Sequence, residues 1–188
     1  MCSSDLDPTG NVYMAGTTNS TAGNVIATVG SHQLVYGGGV DNAFLAKFNP
    51  NGVRIWATYY GGNVREIGSS CALDGNGNVF LCGYSLGSGS NAVATPGCHQ
   101  YTHAGQWDAF LVKFNSSGVR QWGTFYGDFG VDYGFSVAAD ATGNVYLGGK
   151  TDGATANVIA TLGSHQSTFG GIEDAFLVKF NASGVRQW

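Results

Sequence analysis

The 188-residue chain is long enough for one sizeable core, and it is rich in glycine (31) and aromatic residues (13%) while only 11% of it is charged. Its formal net charge is −4, and Lys47, Lys113, Lys179, Arg54, Arg120 and Arg186 are strung evenly along it. A nucleic-acid binder needs such residues clustered to displace phosphate counterions, so no nucleic-acid partner is expected; no apolar run reaches the length of a membrane-spanning helix, so no membrane insertion is expected either.

Residues 1–6 (MCSSDL) have neither the basic start nor the apolar middle of an export signal, and they match the later copies poorly, reading as foreign to the pattern. After them the chain repeats. "GNVYMAG" begins at Gly10, "GNVFLCG" at Gly77 and "GNVYLGG" at Gly143, and "HQ" falls at His32, His99 and His165. "FLAKFNPNGVRIW" fills 44–56, "FLVKFNSSGVRQW" 110–122 and "FLVKFNASGVRQW" 176–188, so the step is 66 or 67 residues. Such a period marks a modular array in which each unit hides its apolar faces against the next.

Four short strands fit one period. In the middle copy strand A covers 69–73, strand B 79–84, strand C 109–115 and strand D 119–126. Strand B is expected near 11–17 and 144–151 in the flanking copies, and strand C near 43–49 and 175–181. Asn and Gly between A and B, and between C and D, supply the positive φ of tight turns, whereas B and C are separated by long spacers at 18–40, 85–107 and 152–173. Strand C puts Phe110, Val112 and Phe114 on one side and Ala109 and Leu111 on the other. A strand apolar on both faces belongs to a sheet covered on both sides. The expected fold is therefore all-β, a β-propeller arc of about three four-stranded antiparallel blades in an incomplete ring. The blades fall near 1–66, 67–133 and 134–188 of a single unit, the first and last truncated, which predicts a piece of a longer product with blade faces free to self-associate.

"D-x-x-GNVYLGG-x-T", the spacer and "DAFLVKFN-x-SGVRQWGTFYG" together resemble the bacterial seven-bladed β-propeller (SBBP) repeat, over 7–188. The resemblance implies a secreted or surface-exposed bacterial protein. It carries no catalytic residues and no cofactor.

Candidate sites follow from the repeat. His32, His99 and His165 occupy equivalent places in the B–C spacers; blade separation is too large for a shared metal, so each is expected to tie its own loop by a hydrogen bond. Asp7, Asp74 and Asp140 with Asn11, Asn78 and Asn144 read as turn-forming pairs, because the glutamate that would complete a calcium loop is missing. The strand-C lysines and strand-D arginines are expected to pair with these aspartates, and Trp56, Trp122 and Trp188 to pack between blades. Trp107 does not recur, so it, Tyr101 and His103 are the better ligand-contact candidates, with His32, His99 and His165 behind them. Cys71 and Cys82 form a disulfide only if the A–B hairpin puts them opposite one another. No metal cluster or nucleophile elbow is present, so neither an enzyme nor a metal or cofactor is expected. Two functions remain: a non-catalytic scaffold binding protein or another surface component through the B–C loops, which should lie together on one face, or a carbohydrate-binding or carbohydrate-processing propeller.

Overall fold

A computed structural model describes residues 3–20, 25–87, 92–153 and 158–188. Cys2 and the spacer stretches 21–24, 88–91 and 154–157 lie outside them. Strands β1 (Ser3–Leu6), β2 (Val12–Thr18), β3 (Asn42–Phe48) and β4 (Arg54–Tyr60) form the first sheet, in that order. The second holds β5 (Arg65–Leu73), β6 (Val79–Leu86), β7 (Asp108–Phe114) and β8 (Arg120–Tyr126). The third holds β9 (Asp132–Ala139), β10 (Val145–Thr151) and β11 (Asp174–Phe180), with Gln187 and Trp188 bonded to Lys179 where a fourth strand starts. All neighbours run antiparallel.

Residues 3–6 correct the expectation that they stand outside the pattern: Ser3 pairs with Ala15 and Leu6 with Val12. A strand edge is joined by backbone groups, so a side-chain sequence unlike the other copies still fits.

The sheets stack as the two-sided strand requires. Phe110, Val112 and Phe114 of β7 enter a core with Tyr13, Leu45, Trp56 and Tyr60 of the first sheet. Ala109 and Leu111, on its other face, meet Leu147, Phe176 and Val178 of the third. The first strands converge: β5 touches β1, and β9 touches β5. No comparable contact joins β4 to β8, so the sheets splay outward from a common line. That is an open arc of β-propeller blades.

The two faces of the last sheet's third strand are unequally covered. Phe176 points back into the second sheet and is buried, as Phe110 is. The face beyond the third sheet shows instead at Leu177, 60% exposed where its counterparts Leu45 and Leu111 are fully covered.

The long B–C spacers do not simply crown one face. In the first blade the spacer runs back along the outer edge of β4: Thr28 N bonds Ala57 O (2.9 Å), Gln33 N bonds Thr58 Oγ1 (2.8 Å) and Tyr59 N bonds Gln33 O (3.1 Å). Thr95 and Gln100 repeat this on β8. Only the last part of each spacer returns to the end of the sheet where β2 and β6 leave and β3 and β7 begin.

Candidate functional site

The repeated "HQ" is a clamp, and its glutamine does most of the clamping. Gln100 Oε1 accepts from Gly127 N (3.0 Å), and its Nε2 donates to Asp108 Oδ2 (2.7 Å) and Thr102 O (3.2 Å). Asp108 also accepts from Ala104 N (2.8 Å) and Gly105 N (3.1 Å), so the spacer closes on itself around one carboxylate. In the first blade Gln33 holds Gly61 N while Asn42 Oδ1 takes Gly37 N; in the third, Gln166 and Gly170 meet Asp174. The signal was present in the sequence, since Gln33, Gln100 and Gln166 recur as faithfully as the histidines.

The histidines seal joints between sheets, which corrects the loop-tying expectation. His32 lies 5.9 Å from the Tyr60 ring and 5.8 Å from Phe114 of the next sheet; His99 lies 5.9 Å from Tyr126 and 5.7 Å from Phe180. Partial burial against these rings, and then Arg120, lower His32 to about 4; His99 is lowered by burial and then Arg186. His165 has no sheet beyond it and is exposed.

The arginines also depart from expectation. Arg54 Nη1 donates to Val25 O (2.6 Å) and Ile26 O (2.7 Å), Arg120 to Ala92 O (2.6 Å) and Arg186 to Val158 O (2.5 Å), so strand D grips its own spacer rather than the Asp turns. Tyr60 and Tyr126 reach across to carbonyls of the next blade's spacer, Val93 and Ile159. Among the lysines, Lys47 pairs with Asp7 (3.6 Å), whereas Lys113 donates to Ala182 O (3.1 Å) in the following sheet. Trp56 Nε1 donates to Ser116 O (3.0 Å) and its ring lies on Gly118, where φ is +79° and a Cβ would come within 3.0 Å. Trp122 and Gly184 repeat the arrangement.

Each turn aspartate is filled by its own turn. Asp140 accepts from Thr142 N, Thr142 Oγ1, Asn144 N and Asn144 Nδ2 at 2.7–3.0 Å, and the Asn144 and Thr142 side chains hold it well below the usual carboxylate range. Asp7 with Asn11 and Asp74 with Asn78 do the same. Among the described residues, no group of three His, Cys, Asp or Glu side chains is placed to hold a metal. Cys71 pairs with Leu81, and Cys82 with Ser70, so the two thiols point to opposite faces and both are free. Burial raises both, Cys71 to about 12.

The ligand-contact candidates Tyr101, His103 and Trp107 are not brought together. Tyr101 is exposed on the loop side. The His103 side chain is covered, its ring 5.5 Å from Phe125 and its Nε2 3.0 Å from both Gly87 N and Ser85 O. Trp107 instead joins an aromatic patch across the joint of the second and third sheets. Its ring is 5.4 Å from Tyr84 and 5.9 Å from Tyr133, which continues to Phe135 (5.9 Å). Lys150 sits over Tyr133 at 5.3 Å. In the preceding joint the place of Trp107 is taken by Asp41, paired with Arg65 at 2.6 Å, and that of Tyr133 by Ile67. Phe129, 76% exposed, lines a cleft of about 390 Å³ with His99, Gln100, Asp128 and Arg186.

No family model matches the chain. Among curated proteins it is similar to an uncharacterized WD repeat-containing protein of Acanthamoeba polyphaga mimivirus, 24% identical over 162 residues. The match takes in 81% of this chain but 11% of the viral protein, so the chain spans only a small part of that relative's length. With its stacked antiparallel sheets, the chain is a β-propeller-like repeat protein.

Proposed function

We propose that the chain is a non-catalytic propeller scaffold that binds a partner protein on its loop side, anchored on the patch of Tyr84, Trp107, Tyr133 and Phe135. The observation that carries this reading is the patch itself. It is the place where one joint departs from the repeat, and it departs by replacing an ion pair with partly exposed aromatic rings. Tryptophan and tyrosine are the residues most enriched at binding hot spots, because each offers large rigid area at small entropic cost. The repeated polar groups of the first two blades, by contrast, are engaged within the fold. Similarity to a WD repeat-containing protein and to the bacterial SBBP repeat supports a scaffold, and the latter supports display on a bacterial surface or in secreted form.

A carbohydrate partner is the second reading, favoured by the half-open rings of Trp107 and Phe135, which suit sugar stacking. The test is surface-binding measurement of the folded chain against a panel of surface and matrix proteins and a glycan array. Trp107→Ala should weaken protein binding at least tenfold, roughly the loss of one hot-spot side chain. Glycan binding lost in the same variant would move the assignment to a lectin. Binding unchanged by Trp107→Ala would overturn both.

A further inference from the structure

We propose that Asp108 and Asp132 form a proton-binding site in the joint between the second and third sheets, the pair taking up one proton to replace a donor that the preceding joint supplies as an amide.

The two joints are superimposable in role. In the first, Asn42 Nδ2 donates to Glu66 Oε2 (2.8 Å) and Ser85 Oγ donates to Glu66 Oε1 (3.3 Å), so the buried carboxylate is matched on both oxygens. In the second, Asp108 stands in the place of Asn42, and Asp132 in that of Glu66, opposite Thr151 as Glu66 is opposite Ser85. Both aspartates are 0% exposed. They close on the same backbone point: a Cβ on Gly127 would lie 2.7 Å from Asp132 Oδ2 and 2.9 Å from Asp108 Cγ. Asp132 Oδ2 accepts from Asp128 N (2.8 Å), but its Oδ1 is buried with no hydrogen-bond partner. The joint has exchanged a donor for an acceptor and shortened the facing acid by one methylene. Two buried like charges this close cannot both ionise at ordinary cost, and a single proton removes the conflict.

The neighbouring carboxylates argue the same way, and one neighbour, His103, opposes them. Asp128, from the turn before β9, adds negative charge. Asp152, after β10, takes Val131 N and adds more on the far side of that turn. His103, whose Nε2 lies 3.7 Å from Asp108 Oδ1 and 3.0 Å from Ser85 O, pulls Asp108 down, against the burial that raises it. Tyr126, on β8, has its hydroxyl on Ile159 O. Burial, with smaller contributions from Asp128 and Asp108, pushes Asp132 up to about 6 against the pull of the Thr151 hydroxyl and Asp128 N, and burial also raises Asp108. Because the folded-state value lies above the ordinary 3.8, this contribution to stability is complete below 3.8 and is lost as pH rises through about 6. Asp132 N also donates to Trp107 O (2.6 Å), so the site and the aromatic patch share a backbone link.

The decisive experiment is a carboxyl-carbon NMR titration of the intact chain, with urea unfolding of wild type, Asp108→Asn and Asp132→Asn at about pH 5 and pH 8. Asp132 should titrate near 6. Asp108→Asn, which restores the amide, should raise the unfolding midpoint at the higher pH and flatten its pH dependence. His32 and His99 titrate in the opposite sense but are common to all three proteins, so they cancel in the differences. Midpoints at or below 3.8 for both Asp108 and Asp132 would overturn the proposal, as would an unchanged pH slope in both variants. A calcium-induced rise at the higher pH that is present in wild type and lost in Asp132→Asn would also overturn it, in favour of a cation.

Discussion

The joint between the first and second sheets and the joint between the second and third share a frame and differ in their filling. Both have a glutamine clamp, a tryptophan lying on the next sheet's turn glycine, a tyrosine reaching the next spacer's carbonyl, and a histidine wedged between rings. The first joint then closes with Asn42–Glu66 and Asp41–Arg65, pairs that satisfy themselves. The second closes with Asp108 facing Asp132, and with Trp107 among exposed rings. Local contacts that build a blade are repeated because every blade needs them. Only positions that meet across a joint are free to diverge, and there one joint has become structural and the other chemically distinctive.

The largest test of the shared frame is Phe110→Ala, which empties a fully buried site between sheets and should cost about 3–5 kcal/mol in urea unfolding. Phe176→Ala should fall at the lower end of that range, because its sheet is covered on one side only. A loss below about 1 kcal/mol for Phe110→Ala would show that the first joint does not pack as described. A sharper comparison is Gln100→Ala against Gln33→Ala. Each should cost about 1–3 kcal/mol, with Gln100 the larger because its removal leaves the buried Asp108 carboxylate short of a donor. Equal losses would mean that Asp108 does not depend on the clamp. The smallest effect belongs to Arg65→Ala: its partly exposed pair with Asp41 should be worth about 0–1 kcal/mol and should fade with added salt.

Strands β2, β3, β6, β7, β10 and β11 were legible in the sequence to within a residue or two, because their signals are local. Turn residues flank them, and β7 alternates between two apolar faces. The bonds around Asp140 were legible for the same reason: donors and acceptor lie within five residues. What the sequence hid depends on distance through space. Gln100 and Gly127 are separated by two whole strands and the end of a spacer, so "HQ" offered two residues of equal recurrence and no way to rank them. Asp108 reads as the first letter of a strand, and nothing in "WDAF" says that Asp132 lies behind it. Trp107 stood out because it does not recur, but its companions Tyr84 and Tyr133 belong to different sheets.

The spacer lying along β4 and β8 has a consequence for how this kind of chain can grow. An uncovered outermost strand offers a row of amides and carbonyls on which a strand of another chain can template. Here Thr28, Gln33, Thr95 and Gln100 already occupy much of that row, and arginines lock the ribbon down from beneath. Gly123 lets it pass so closely that any side chain there would strike Val93 O, a Cβ falling 2.3 Å away. Strand-by-strand accretion at the rim is thereby blocked on the first two blades.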